Sequence, residues 1–156
     1  MTSRPKVSTC LWFDGNAEEA VNFYVSLIPD SRITDILRVS PDAPALLITF
    51  TLGGTPYQAL NGGPQHRLSE AVSISVSTKD QEETDRLWAA LTSNGGRESM
   101  CSWLEDRFGL SWQIVPEALP RLLGSSDRVV ATRAMQAMMG MQKIDIAALE
   151  AAVRGE

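Results

Sequence analysis

The chain has 156 residues, 44% of them hydrophobic, with 14 basic against 19 acidic residues and a formal net charge of -5. That length suits one compact unit, and the scattered acidic balance supplies no basic patch for nucleic acid or anionic lipid. The N-terminus MTSRPKVSTCLWF has no apolar signal-peptide core, no apolar run is long enough to span a bilayer, and Cys10 and Cys101 stand apart without zinc-type spacing. A cytoplasmic protein in a reducing compartment is expected, with neither nucleic acid nor membrane as a partner.

Val7 to Phe13 reads as a strand, broken by Asp14-Gly15-Asn16 before a helix over about Ala17 to Leu27 that ends before Pro29. Ala20, Phe23, Tyr24 and Leu27 form one apolar stripe of that helix. Arg32 to Val39 is a strand, and Leu46 to Leu52 and Tyr57 to Asn61 form a hairpin around Gly53-Gly54-Thr55-Pro56. The loop NGGPQHRLSE then leads to AVSISVSTKDQEETDRLWAALTSNGG, a second strand-and-helix unit.

The two units look like copies. A shift of 64 lays Thr9 on Ser73, Glu18-Glu19 on Glu82-Glu83, Phe23-Tyr24 on Leu87-Trp88 and Leu27 on Leu91; a shift of 55 lays Gly54 on Gly109, Tyr57 on Trp112, Gln58 on Gln113 and Leu60 on Val115. The repeats predict two βαβββ modules, over about 7–61 and 71–116, and a helical extension over about 117–156. Strand alternation points Val72, Ile74 and Val76 toward the helix and Ser73, Ser75 and Ser77 away from it. The repeat puts Thr9, Leu11 and Phe13 on the serine side with Gln58, Leu60, Gln113 and Val115, and Cys10 and Trp12 on the helix side with Tyr57 and Trp112. A face that mixes hydroxyls, amides and aliphatics suits a partly wet ligand cavity.

The pieces LWFDGNAEEAVNFYVSLIPDSRI, ALNGGP, AVSISVSTKDQEETDRLWAALTSNGG, CSWLEDRFGLSWQIVP and AMMGMQKIDIAALEAA resemble the PhnB-like branch of the vicinal oxygen chelate superfamily, which includes glyoxalase I, bleomycin-resistance proteins and extradiol dioxygenases. The branch often carries the label 3-demethylubiquinone-9 3-methyltransferase, yet the sequence has no Gly-rich strand-to-helix turn with a following acidic ribose ligand. The resemblance implies a single glyoxalase-like α+β domain over 1–156, its two βαβββ modules forming a curved mixed sheet, and a homodimer in which modules are sometimes exchanged. Metal-dependent members of the superfamily carry His or Glu at one position in each of four strands. The matching positions here are Thr9, Gln58, Ser73 and Gln113, neutral groups that hold a divalent transition metal weakly.

Other candidates have structural explanations. His66 reads as a solvent-exposed loop residue or as an acid/base at the cavity mouth. Cys10 reads as inert packing, and Cys101, on a strand before Trp103, is open between packing and reactivity. Glu105-Asp106-Arg107 reads as a solvated hairpin turn, and Glu18-Glu19 and Glu82-Glu83 as acids at helix starts. Met135, Met138, Met139 and Met141 read as core or dimer contacts, with Asp145 capping a final helix. The expected function is a metal-free small-molecule binding protein of the glyoxalase and bleomycin-resistance type, without a cofactor, its small organic ligand lined by Thr9, Leu11, Gln58, Leu60, Ser73, Ser75, Trp103 and Gln113. The alternatives are a superfamily enzyme that recruits a metal through His66 or a partner chain to act on a small oxygenated substrate, and a dimeric interaction module with a vestigial cavity.

Overall fold

A computed structural model describes residues 4–156. It divides into two compact units, one ending at Leu68 and the other beginning at Ser69. The first holds β1 (Thr9–Phe13), α1 (Ala17–Leu27), β2 (Arg32–Arg38), β3 (Ala45–Leu52) and β4 (Thr55–Asn61). Its sheet has the order β1-β4-β3-β2, with β1 parallel to β4 and the other pairs antiparallel.

Helix α1 buries Ala17, Ala20, Val21 and Tyr24. The sheet side beneath it is fixed by Asn61, whose Oδ1 accepts from Ala17 N at 3.0 Å while its Nδ2 donates to Ala45 O at 2.8 Å. Asn61 lies beside Phe13, so the residues alternating with them, Leu11, Ala59, Ile48 and Phe50, form the buried layer. Tyr57 joins that side, stacked on Phe50 with centroids 5.6 Å apart.

The second unit repeats the plan with β5 (Ser73–Thr78), α2 (Gln81–Thr92), β6 (Arg97–Glu98), β7 (Trp103–Glu105) and β8 (Ser111–Pro116), in the order β5-β8-β7-β6. Asp80 caps α2, its Oδ1 accepting from Glu83 N at 2.9 Å, and Glu83 Oε2 accepts from Lys79 N, so Glu83 of the acidic pair serves the cap. Ile74, Trp112 and Ile114 are buried toward α2, and Thr78 joins them through a 2.7 Å hydroxyl contact with Thr84.

Three helices follow: α3 (Ala118–Leu123), α4 (Arg128–Met139) and α5 (Ile146–Arg154). Leu119, Ala134, Ile144 and Leu149 are their core, with Val115, Met138 and Met141 packed against it. Met135 and Met139 remain exposed. Gln81 ties this extension to α2: its Nε2 donates to Ile144 O and its Oε1 accepts from Ile146 N. Asp145 caps α5 as expected, accepting from Ala148 N. No helix of the described residues is long and apolar enough to cross a membrane.

The helices, the turns and the two-module plan match the sequence reading, while the strand register of the repeat does not. Gly62 N donates to Phe13 O and Glu117 N donates to Thr78 O, so Phe13 corresponds to Thr78, a shift of 65 rather than 64. The cause is turn length. Asp14-Gly15-Asn16 separates β1 from α1, whereas only Lys79-Asp80 separates β5 from α2, so a register taken from the helices slips the strands by one residue. Every side chain of β1 therefore changes face relative to the expectation. Cys101 is also not on a strand. It and Ser102 adopt positive φ in a turn before β7, their amides donating to Met141 O and Gln142 O.

Candidate functional site

In each unit the helix covers one face of the sheet and the other face carries the polar side chains. On the open face of the first unit, strand pairing lays residues in rows across the sheet. Cys10, Gln58, Thr49 and Asp35 form one row. Trp12, Leu60, Leu47 and Leu37 form the next, toward the C-terminal end of β1. Pro56, Thr51 and Arg32 form a third at the opposite end.

This placement keeps Gln58 and Leu60 as predicted but corrects two assignments. Thr9 and Leu11 belong to the α1 side, paired with Tyr57 and Ala59, and Leu11 is only 2% exposed. They do not line the open face. Their places are taken by Cys10 and Trp12, which the sequence reading had assigned to the helix layer. Cys10 is exposed, and partial burial of its sulfur raises the thiol above its ordinary pKa, so the neutral form dominates. Trp12 is held by its Nε1–H, which donates to Gly63 O at 2.9 Å, and His66 meets its ring edge-on with centroids 4.8 Å apart. His66 thus belongs to the apolar end of this face.

On the open face of the second unit the predicted residues do come together. Ser75, Gln113 and Trp103 lie abreast on β5, β8 and β7, and Gln113 Nε2 donates to Ser73 Oγ at 2.9 Å. Beside them Ser73, Ser111, Glu105 and Arg97 form a second row. Arg97 is ion-paired with Glu105, which holds the guanidinium above its already high ordinary pKa. Next to this row a cavity of about 150 Å³ has Trp103, Ser111, Glu70 and Glu98 among its walls. Glu98 is engaged, accepting from Trp88 Nε1 at 2.6 Å. At the other end Val115 is packed against the helical extension, which narrows the open stretch to the Ser73–Gln113–Trp103 region.

The hairpin that presents Trp103 and Gln113 depends on Asp106, which is buried at 1% exposure rather than solvated as the sequence suggested. Its Oδ1 accepts from Phe108 N and Leu110 N, and its Oδ2 from Trp112 Nε1 at 2.9 Å. The sequence signal was present in the Asp-x-x-Gly spacing, since a short acid before a turn glycine bonds the amides just ahead of it.

The superfamily's metal can be tested against these donors. Thr9 lies on the helix side; Gln58, Ser73 and Gln113 offer neutral amide and hydroxyl groups, and Gln113 is already bonded to Ser73. Among the described residues no three His, Cys, Asp or Glu side chains gather where they could hold a metal ion. This set does not suit a divalent transition metal, which wants imidazole, carboxylate or thiolate.

Comparison with known proteins agrees with the fold. The family described as 3-demethylubiquinone-9 3-methyltransferase matches residues 5–115. A Bacillus cereus PhnB protein described under the same heading is 32% identical over 72% of this chain and 99% of its own, with a TM-score of 0.65. A Pseudomonas aeruginosa protein of known structure is 22% identical, with coverage of 73% and 98% and a TM-score of 0.60. The fosfomycin resistance protein FosX of Listeria monocytogenes is 15% identical, with coverage of 80% and 100% and a TM-score of 0.53, a likeness of fold. No curated protein matches. The chain therefore belongs to the PhnB-like 3-demethylubiquinone-9 3-methyltransferase family, and its α+β fold is shared with FosX.

Proposed function

We propose that this member of the family is a metal-free binding protein for a small, moderately polar organic molecule, held on the open sheet faces by neutral hydrogen-bonding side chains. The observation that carries the reading is the pair of glutamines at equivalent positions. Gln58 lies beside Cys10 and Thr49, and Gln113 beside Ser75 and Trp103, each in the middle of a face that its helix leaves free. Primary amides and hydroxyls orient a ligand by direction rather than by charge, and the neighbouring Trp12 and Trp103 supply apolar walls.

The family description names a methyl transfer. Each sheet here has a single parallel pair among antiparallel ones, whereas nucleotide cofactors of the doubly wound type sit at the carboxyl ends of a parallel sheet. A binding role accords better with that architecture and with the donor chemistry of the open faces.

The test is a thermal-stabilisation screen of small polar organics, run with the wild type, Gln58→Ala and Gln113→Ala, with Zn, Ni, Mn, Fe and Co ions as separate arms. Hits that raise the melting temperature of the wild type and lose most of that shift in at least one glutamine variant support the reading. Near-stoichiometric metal binding that a chelator reverses with a fall in melting temperature overturns it.

A further inference from the structure

The three rows on the open face of the first unit differ in chemistry in a fixed order. Trp12, Leu60, Leu47 and Leu37 are apolar, the Gln58 row is polar, and the third row ends in Arg32. Successive rows are two residues apart along a strand, so at about 3.3 Å per residue the apolar and arginine rows lie roughly 13 Å apart. The arginine end is also hollow. A cavity of about 410 Å³ lies there, lined by Arg4, Arg32, Thr49, Thr51 and Asp35 among others. Thr49 belongs to both regions, since it pairs with Gln58 on one side and Asp35 on the other.

Arg4 reaches this place because β1 runs parallel to β4, so the segment before Thr9 emerges where β4 and β2 begin. Neither the Arg4 nor the Arg32 guanidinium has a hydrogen-bond or ion-pair partner among the described residues, in contrast to those of Arg38, Arg97, Arg121 and Arg154, which are all paired. The cavity thus holds two uncommitted guanidiniums against one carboxylate, Asp35, with threonine hydroxyls as neutral donors. Guanidinium is the side-chain group best matched to carboxylate and phosphate oxygens.

We infer that the first unit binds an elongated organic anion, its carboxylate, phosphate or phosphonate on Arg4 and Arg32 and its apolar body along the Gln58 row toward Trp12 and Leu60. This rests on the proposed binding function and specifies the ligand class for that face.

Octanoate and octylphosphonate serve as probes, with octanamide as the neutral counterpart and acetate and inorganic phosphate as heads without a body. Titration calorimetry below the aggregation limit of each probe gives the affinities. Octanoate or octylphosphonate binds the wild type at least tenfold more tightly than octanamide and than either bare head, and the relative strength of the two identifies the anion type. Arg32→Gln and Arg4→Gln each lower that affinity about tenfold, while Arg128→Gln, on the exposed start of α4, leaves it unchanged. Equal binding of octanamide and octanoate, or octanoate binding that survives Arg32→Gln and Arg4→Gln, overturns the inference. If octanamide alone binds and Gln58→Ala abolishes it, the binding function stands and the anion assignment falls; if no octyl probe binds while the wider screen finds a Gln58-dependent ligand, the result is the same. Circular dichroism of each variant separates lost binding from lost folding.

Discussion

Asp106→Asn puts the energetics of the second unit's open face to a direct test. The carboxylate is 1% exposed and accepts from Phe108 N at 2.8 Å and Leu110 N at 3.1 Å on one oxygen and from Trp112 Nε1 at 2.9 Å on the other. An asparagine has one acceptor oxygen. Turned to the backbone amides it presents NH₂ to the indole N–H, and turned to the indole it presents NH₂ to the amides. Either orientation removes a hydrogen bond to a charged acceptor and leaves a buried donor facing a donor. At about 1.5–3 kcal/mol for the bond and 1–3 kcal/mol for the unmatched group, with some relaxation, the expected loss is about 3 kcal/mol. For a chain of this size that corresponds to a melting-temperature drop of roughly 6–12 °C. Differential scanning calorimetry measures it, with exposed Asp42→Asn as the control, expected to change stability by no more than about 0.5 kcal/mol. A drop below about 2 °C for Asp106→Asn would refute the claim that this carboxylate organises the β7–β8 hairpin.

Three further outcomes follow from the geometry. A Cβ on Gly62 would lie 2.3 Å from the Trp12 ring, so Gly62→Ala displaces the indole from Gly63 O and costs about 1–3 kcal/mol; unchanged stability and tryptophan emission would contradict the packing. Lys143 contacts Asp85 at 2.7 Å, and its hydrogen bond, then that of Gln81, holds the Asp85 carboxyl below the usual aspartate range. The carboxylate's contribution is therefore present above the unfolded pKa and lost as pH falls through the lower folded value. Lys143→Ala should accordingly cost about 1 kcal/mol or less at neutral pH, with a difference from wild type that begins to shrink as pH falls below the ordinary aspartate range and disappears below the lower folded value; a difference that grows in acid would reverse the sign. Burial raises the Cys10 thiol, so mass-spectrometric mapping of iodoacetamide labelling should show it modified more slowly at neutral pH than a cysteine in a peptide, and slower still with a ligand across the Gln58 row. Labelling as fast as the peptide, or indifferent to bound ligand, would count against that placement.

Much of the fold was legible because its signals are local. The stripe of Ala20, Phe23, Tyr24 and Leu27, the break at Asp14-Gly15-Asn16 and the acids at helix starts each depend on a few neighbouring residues, and the helix over 17–27 appears where the periodicity puts it. Within the second unit, local alternation also sufficed to set Ser73, Ser75 and Gln113 on one face and Trp112 on the other. Long-range pairings were a different matter. Nothing in the sequence separations announces that Arg4 and Arg32 share a cavity, since their meeting depends on the parallel run of β1 beside β4 and the antiparallel return to β2. Charged turns are usually solvated, which is what the sequence suggests for Asp106, and the burial of its carboxylate becomes tolerable through the nearby Trp112 indole and the turn amides.

The misplacement of Thr9 and Leu11 shows why a duplicated chain is a hazardous guide to its own strands. The helices align at a shift of 64 and the strands at 65, and a strand cannot absorb that difference, because one residue is half its period. The extra residue in the turn before α1 therefore left the helix alignment intact and inverted β1, moving Cys10 and Trp12 to the open face and Thr9 and Leu11 beneath α1. Once corrected, the equivalence pairs Cys10 with Ser75 and Trp12 with Ser77, while Gln58 still pairs with Gln113. The glutamines are thus the fixed point of the two faces and the residues around them have diverged. One face grades from a tryptophan and leucines to arginines, and the other sets serines against Trp103 with its arginine already paired to Glu105. Faces so different in charge will not select the same chemical group. A ligand whose affinity depends on Arg32 should therefore be insensitive to the serines of β5, and Ser73→Ala with Ser75→Ala, measured against Arg32→Gln with octanoate, decides whether the two modules discriminate independently.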